Sequence, residues 1–205
     1  MYIVEHITNA LAASISDRGS ASFVVSGGSS PRKIYTELAS GNYSNSVDWS
    51  RVIVTLVVDR QVPENHPDSN RKFILETLVQ GDISKAQFIP LSVGGAVDNL
   101  ARPFDIMLLG MGLDGHFASL FPSMINSPAM DLNALPKIIK TGPHGDPFEP
   151  RISMNLSMIM QTRLIYLLVY GEVKQKVLER AKSDRSLPVH HLITQTLTPV
   201  EVISQ

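Results

Sequence analysis

The sequence predicts an α/β fold: a single domain over residues 1–205, built on an open, mostly parallel, Rossmann-like sheet flanked by helices. Three observations predict it. Apolar, β-branched runs (ASFVVS at 21–26, VIVTLVV at 52–58, FDIMLL at 104–109 and RLIYLLVY at 163–170) alternate with segments of helical periodicity. The last three are apolar at nearly every position, as expected of strands covered by helices on both faces. Each run then empties into glycine or charged residues: GGSSP, DR, GMGLDGH and GEVK. In open parallel sheets the carboxyl ends of the strands form the ligand crevice. The four motifs are therefore expected to face one cleft.

Taken in order, Val4, Ile7, Leu11 and Ile15 recur every three or four residues, which predicts an amphipathic helix over 4–18 ended by Gly19. The strand at 21–26 leads into Gly27-Gly28-Ser29-Ser30-Pro31. Pro31 suits a first helical turn, and Ile34, Tyr35 and Leu38 continue that helix towards Gly41. Val52 to Val58 reads as one buried strand ending at Asp59-Arg60. A loop follows, then a helix from about Ser69 to Leu78 with Phe73, Ile74 and Leu78 facing the core. Phe88 to Leu91 is a weaker strand, and residues 92–103 read as a connection. The tract 123–150 is rich in Pro, Gly and Asn, and its TGPHGDPFEP segment reads as a loop over a surface or a site. A short helix in NLSMIMQT, the strand at 163–170 and a helix carrying Val177, Leu178 and Ala181 come next. Leu187-Pro188 is expected to break that helix, and Val200 to Ile203 to form the last strand.

Composition narrows the function. The net charge of −1 provides no basic field for nucleic acid, so an anionic ligand must be held by a local cluster. No apolar run approaches the roughly 18 residues of a membrane span. The start of the chain lacks a basic segment, so a signal peptide is not expected. The absence of cysteine excludes disulfides and thiolate metal sites and fits a cytoplasmic location. A monomer or weak homo-oligomer is expected.

Two cations, Arg60 and Lys174, directly follow strands, and the Gly27–Gly28–Ser29 loop adds backbone and hydroxyl donors. Such a pair beside a glycine loop suits a phosphate better than a lone carboxylate. His116 follows a strand and a glycine-rich bend. It reads either as a general base activating water or as a turn residue satisfied by backbone. Asp114 would bias its tautomer or help order that water, and the amides of the bend, Gly112 and Gly115 among them, would face an oxyanion. Asp68, Ser69 and Asn70 read as helix caps, with Asn70 also a candidate for the substrate. Arg151 is balanced between a substrate contact and a structural ion pair. His190-His191 is read as surface rather than metal ligand, and Ser119 as a helix cap. GGSSP lacks the lysine of a P-loop and the spacing of a dinucleotide fingerprint, so neither an ATPase nor an NAD enzyme is indicated.

GGSSP at 27–31, VTLVVDRQVPENHPDSN at 54–70, FDIMLLGMGLDGHFASLFP at 104–122, RIS at 151–153 and LIYLLVYGEVK at 164–174 occur in this order. Together they resemble the 6-phosphogluconolactonases of the sugar-phosphate isomerase/deaminase-like superfamily, over nearly the whole chain. The resemblance implies hydrolysis of 6-phospho-D-glucono-1,5-lactone to 6-phosphogluconate in the oxidative pentose phosphate pathway, with no metal or organic cofactor. It implies His116 as the base that activates water, with Arg60 and Lys174 on the phosphate side. Gly27, Gly28 and Ser29 would line the site, and Arg151 matches the RIS position. The chain departs from the family's pattern in three places. Val58-Asp59-Arg60 stands for Asp-Glu-Arg, and Phe117 stands for a threonine beside the base. An N-terminal strand before residue 4 and a helix around 92–102 are expected to be missing. Two alternatives stay open. One is an aminosugar-phosphate deaminase or isomerase, against which Ser119-Leu120-Phe121-Pro122 argues. The other is a non-catalytic sugar-phosphate binder, motivated by the acid lost at Val58.

Overall fold

A computed structural model describes residues 2–204. Nine strands and seven α-helices are found among them. They are α1 (Tyr2–Arg18), β1 (Ala21–Val25), α2 (Arg32–Ala39), α3 (Gly41–Ser44), β2 (Val52–Leu56), β3 (Val58–Arg60), α4 (Asn70–Thr77), β4 (Gln87–Ile89) and β5 (Phe104–Gly110). After these come β6 (Ile138–His144), β7 (Glu149–Met154), α5 (Leu156–Ile159), β8 (Thr162–Val169), α6 (Glu172–Ala181), α7 (Pro188–Ile193) and β9 (Val200–Ser204).

Six strands form the central sheet in the order β4-β2-β1-β5-β8-β9, and every neighbouring pair is parallel. The chain winds outward from β1 through β2 to β4, and outward the other way from β5 through β8 to β9. The winding therefore reverses between β1 and β5, where such sheets open a crevice. Successive side chains of a buried strand enter opposite cores with the pleat. Ile106 and Leu108 of β5 face one core with Phe23, Tyr35 and Trp49. Met107 and Leu109 face a second core with Phe117, Leu156 and Leu167. At the opposite end of the sheet the buried Asp105 carboxylate accepts from Ser14 Oγ, Arg18 Nη2 and both the amide and hydroxyl of Ser22. That arrangement ties α1 to β1 and β5.

Three elements differ from the sequence reading. The apolar run 52–58 is two strands, because the chain changes sheets at Val57. Its amide donates to Val25 O at 2.9 Å in the central sheet, and its carbonyl accepts from Met154 N at 2.9 Å. β3 thereby joins a small antiparallel sheet, β3-β7-β6. The tract 123–150 is only partly a loop, since its end forms the β6–β7 hairpin. A bulge between Thr141 and His144 and half-exposed strands hide its alternation. Lastly, the helix after β8 ends at Ala181, well before Leu187-Pro188, and Pro188 opens α7 at a position where its missing N–H is no loss.

Candidate active site

The β1, β5 and β8 ends, together with β3 and the hairpin, enclose a cavity of about 260 Å³. Its walls carry Ser26 to Ser30, Val58, Arg60, Asn70, Gly110 to Gly112, His116, Ala118, Asp146, Arg151 and Lys174. The expectation that four strand-end motifs share one cleft is met. Arg60 reaches it from the second sheet rather than from the end of β2.

His116 is held from two directions. Its Nδ1 lies 2.5 Å from Asp114 Oδ1, which also accepts the His116 amide at 3.2 Å. A carboxylate can only accept, so Nδ1 donates to it, and in the neutral imidazole the lone pair is then on Nε2. The imidazole also stacks on Phe121, with ring centroids 4.4 Å apart and planes inclined by 29°. Partial burial pushes the Asp114 carboxyl upward. The hydrogen bond and charge of His116 outweigh that effect and leave Asp114 below the ordinary carboxylate value. Gly112 is required by close approach: a Cβ there would lie 2.2 Å from His116 Nδ1 and Cε1, and 2.7 Å from Asp114 Oδ1.

Arg60, Arg151 and Lys174 supply the positive charge. Arg60 Nη1 donates to Asp68 O at 2.8 Å and Asn70 Oδ1 at 3.1 Å, and Asn70 Nδ2 donates to Val58 O at 3.0 Å. Asn70 thus aims Arg60. A Cβ on Gly27 would fall 2.0 Å from Asn70 Oδ1, so the first glycine of GGSSP is what lets the two approach. Gly28 has φ +95°, which a side chain would strain. Arg151 is buried and donates through Nη2 to His144 O at 2.8 Å and Pro147 O at 3.2 Å. Burial, then the like charge of Arg60, hold its pKa below the usual guanidinium value, with Asp114 pulling the other way. Among the described residues Arg151 has no ion pair, so the structural ion-pair reading is not met. Lys174, in the first turn of α6, sits 3.5 Å from Ser30 Oγ, and burial lowers its pKa. Ser26 Oγ, Arg60 Nε and Arg151 Nε are buried without a hydrogen-bond partner, and all three residues line this cavity. Orphan polar atoms converging on one cavity are the mark of a ligand site.

A family model described as glucosamine-6-phosphate isomerases/6-phosphogluconolactonase matches residues 1–200. The chain belongs to this family. It is 33% identical to a 6-phosphogluconolactonase of Caulobacter vibrioides, over 96% of this chain and 88% of the relative. It is 31% identical to that of Rhizobium meliloti, over 94% and 88%. The crystal structure of a 6-phosphogluconolactonase from Shewanella baltica superposes with a TM-score of 0.86 at 32% identity, covering 99% of this chain and 91% of that one.

Against the family's pattern, the departures at 58, 59 and 117 now have places. Val58 does line the cavity, so an apolar wall stands there. Asp59 faces away from it: Oδ1 accepts the amides of Arg60 and Asn70, both at 2.8 Å, and so fixes the start of α4. Burial raises its pKa, against the pull of those amides and of Arg60. Phe117 is wholly buried in the second core and does not sit beside the base as the sequence suggested.

Other expectations need correction. Two of the bend's amides are engaged within it: Gly112 N donates to His116 O at 2.9 Å and Gly115 N to Gly112 O at 3.1 Å, so neither of these is left for an oxyanion. Gly115 lies outside the cavity wall. It has φ +76° and accepts the Val189 amide through its carbonyl, which docks the bend on α7. Ser119 caps no helix; its Oγ meets Thr141 Oγ1 at 2.7 Å in the core. Ser69, by contrast, is the cap of α4 as expected, accepting from Lys72 N. His190 and His191 are partly exposed, in keeping with a surface reading, and are bonded to the carbonyls of Ala181 and Arg185.

Sequence reasoning missed Ser26, Ala118 and Asp146. Ser26 is simply the last residue before the glycine loop. Ala118 takes φ +49°, unusual for a residue with a side chain, and no sequence signal marks it. Asp146 lies at the hairpin turn, within the Pro- and Gly-rich segment that sequence alone marks as a loop.

Proposed function

We propose that the protein hydrolyses 6-phospho-D-glucono-1,5-lactone to 6-phosphogluconate, with His116 as general base. The single observation that carries this reading is the pairing of His116 Nδ1 with Asp114 in a cavity lined by Arg60, Arg151 and Lys174. Lys174 and the 27–30 loop take the 6-phosphate, with Arg60 beside them. That clamp sets the lactone carbonyl towards His116. Nε2 removes a proton from water as its oxygen bonds to C1, and the carbonyl π electrons move onto the carbonyl oxygen. Guanidinium N–H groups of Arg151 stabilise the resulting oxyanion, because the amides of Gly112 and Gly115 are already engaged within the bend. The tetrahedral intermediate collapses by breaking the bond from C1 to the ring oxygen. The proton on Nε2 passes to that oxygen, which becomes the new hydroxyl, and the acid product ionises to solvent. Asp114 keeps the imidazole in the correct tautomer throughout and stabilises its charged form. A lactone is an activated ester, so a base and an anion clamp suffice.

The test is proton release from the lactone, corrected for spontaneous opening, with wild type and His116→Ala. Wild type is expected to exceed the blank, and His116→Ala to fall to the blank while keeping its melting temperature. Wild-type decay no faster than the blank sinks the reading.

A further inference from the structure

Phe121 stacks on two imidazoles, that of His116 at a centroid distance of 4.4 Å and 29° and that of His144 of the β6–β7 hairpin at 4.7 Å and 19°. The Arg151 guanidinium carbon lies 5.4 Å from the same ring centroid. A Cβ on Gly145, next to His144, would lie 3.4 Å from Phe121 Cε1, so the hairpin tip rests directly on the ring. His144 is fixed in turn. Its Nδ1 donates to Gly142 O at 3.0 Å, which leaves Nε2 to accept from Ser123 Oγ at 3.3 Å. The carbonyl of His144 accepts from Arg151, a residue lining the cavity.

We propose that His144, acting through Phe121, is a positioning residue for the His116 imidazole. Asp114 fixes His116 by a hydrogen bond in the ring plane. That bond alone leaves the ring able to tilt about it, and a flat ring pressed on its face removes the tilt. Phe121 can press only if it is itself held in place, and the stacked His144 holds it. Because Arg151 holds the hairpin carbonyls, an anion drawn to Arg151 steadies the same stack. The hairpin thereby couples ligand binding to the aim of Nε2. This inference rests on the reading of His116 as the base.

The test compares His144→Ala, His144→Phe and His144→Gln in the full chain. Phe keeps a stacking ring and loses the hydrogen bonds; Gln keeps hydrogen-bonding groups and loses the ring. His144→Ala and His144→Gln are expected to lower kcat roughly 2- to 10-fold, the scale of one aromatic pair, with KM within about twofold. His144→Phe is expected to restore kcat. Rescue by Gln in place of Phe, a change confined to KM, or unchanged kcat in His144→Ala overturns the proposal. A second measurement stands apart from turnover. The Cε1 proton of His116, lying over Phe121, should shift in the NMR spectra of His144→Ala and His144→Gln and return in His144→Phe. If wild type does not hydrolyse the lactone, the proposed activity fails, and this resonance alone decides whether the stack positions the ring. A resonance unmoved in all three variants overturns it.

Discussion

Gly112→Ala is the sharpest perturbation of the site because it adds a single methyl group whose nearest neighbours are the base and its partner. The Cβ would sit 2.2 Å from His116 Nδ1 and Cε1, where ordinary contact begins at 3.4 Å. Gly112 lacks the positive φ of Gly28 or Gly115, so its backbone accommodates alanine. Its amide and carbonyl bonds within the bend also remain. The side chains must therefore give way: the imidazole and the Asp114 carboxylate move by about an ångström, or their bond breaks. Misplacing a reacting group by about 1 Å costs on the order of 100-fold in rate, about 2.7 kcal/mol of transition-state stabilisation. The expected outcome is kcat roughly 100-fold below wild type at nearly unchanged KM, since the phosphate side of the cavity is untouched. Indicator-monitored proton release reads the rate, and thermal melting confirms the fold. An alanine variant that turns over at the wild-type rate refutes the claim that the His116–Asp114 pair is the catalytic unit.

Two further outcomes follow from burial. Phe117→Ala is expected to cost about 3–5 kcal/mol of stability, as for other buried phenylalanines, read by denaturant unfolding. KM should be preserved in the folded fraction, because the ring fills the core and not the cavity. Lys174 loses its charge at a lower pH than an ordinary lysine because burial disfavours the ammonium. An anion binds the charged form and raises its pKa. Affinity is thus complete below the free-state value and lost as pH rises through the bound-state value. Calorimetric titration of 6-phosphogluconate between roughly pH 7.5 and 10 should show weakening that Lys174→Arg abolishes, since guanidinium stays charged there. Equal pH dependence in the two proteins would place the phosphate elsewhere.

The central sheet was legible because its strands are buried on both faces and need no alternation to be recognised. Glycine or charge marked their ends, so the cleft was legible with them. What escaped reading depends on tertiary pairing. Val57 continues the apolar run of β2, yet its carbonyl bonds Met154 across to another sheet, and no local property of VIVTLVV announces that switch. The hairpin was obscured by Pro143, Gly145 and Pro147, which punctuate it as a loop, although RIS was noticed. The direction of Phe117 was beyond sequence because it follows a bend whose left-handed glycine and left-handed Ala118 break any periodicity. Adjacency to His116 in sequence suggested adjacency in the site, and the backbone turned it away.

That turn bears on how the acid missing at Val58 should be weighed. A carboxylate at 58 would project into the same cavity as Arg60 and Arg151, pairing with one of them in a low-dielectric wall. Valine leaves both guanidiniums without a carboxylate partner among the described residues, and their Nε atoms are buried and unpartnered. The site is thus more positive than an acid at 58 would make it. The remaining acid of the pair, Asp59, already serves the start of α4 and cannot substitute. A more positive cavity favours a substrate that brings negative charge in its phosphate and develops more on its carbonyl oxygen. It also holds the product more tightly, because hydrolysis adds a carboxylate. Loss of the acid therefore argues against a site that cannot bind, and it moves the expected cost from chemistry to release.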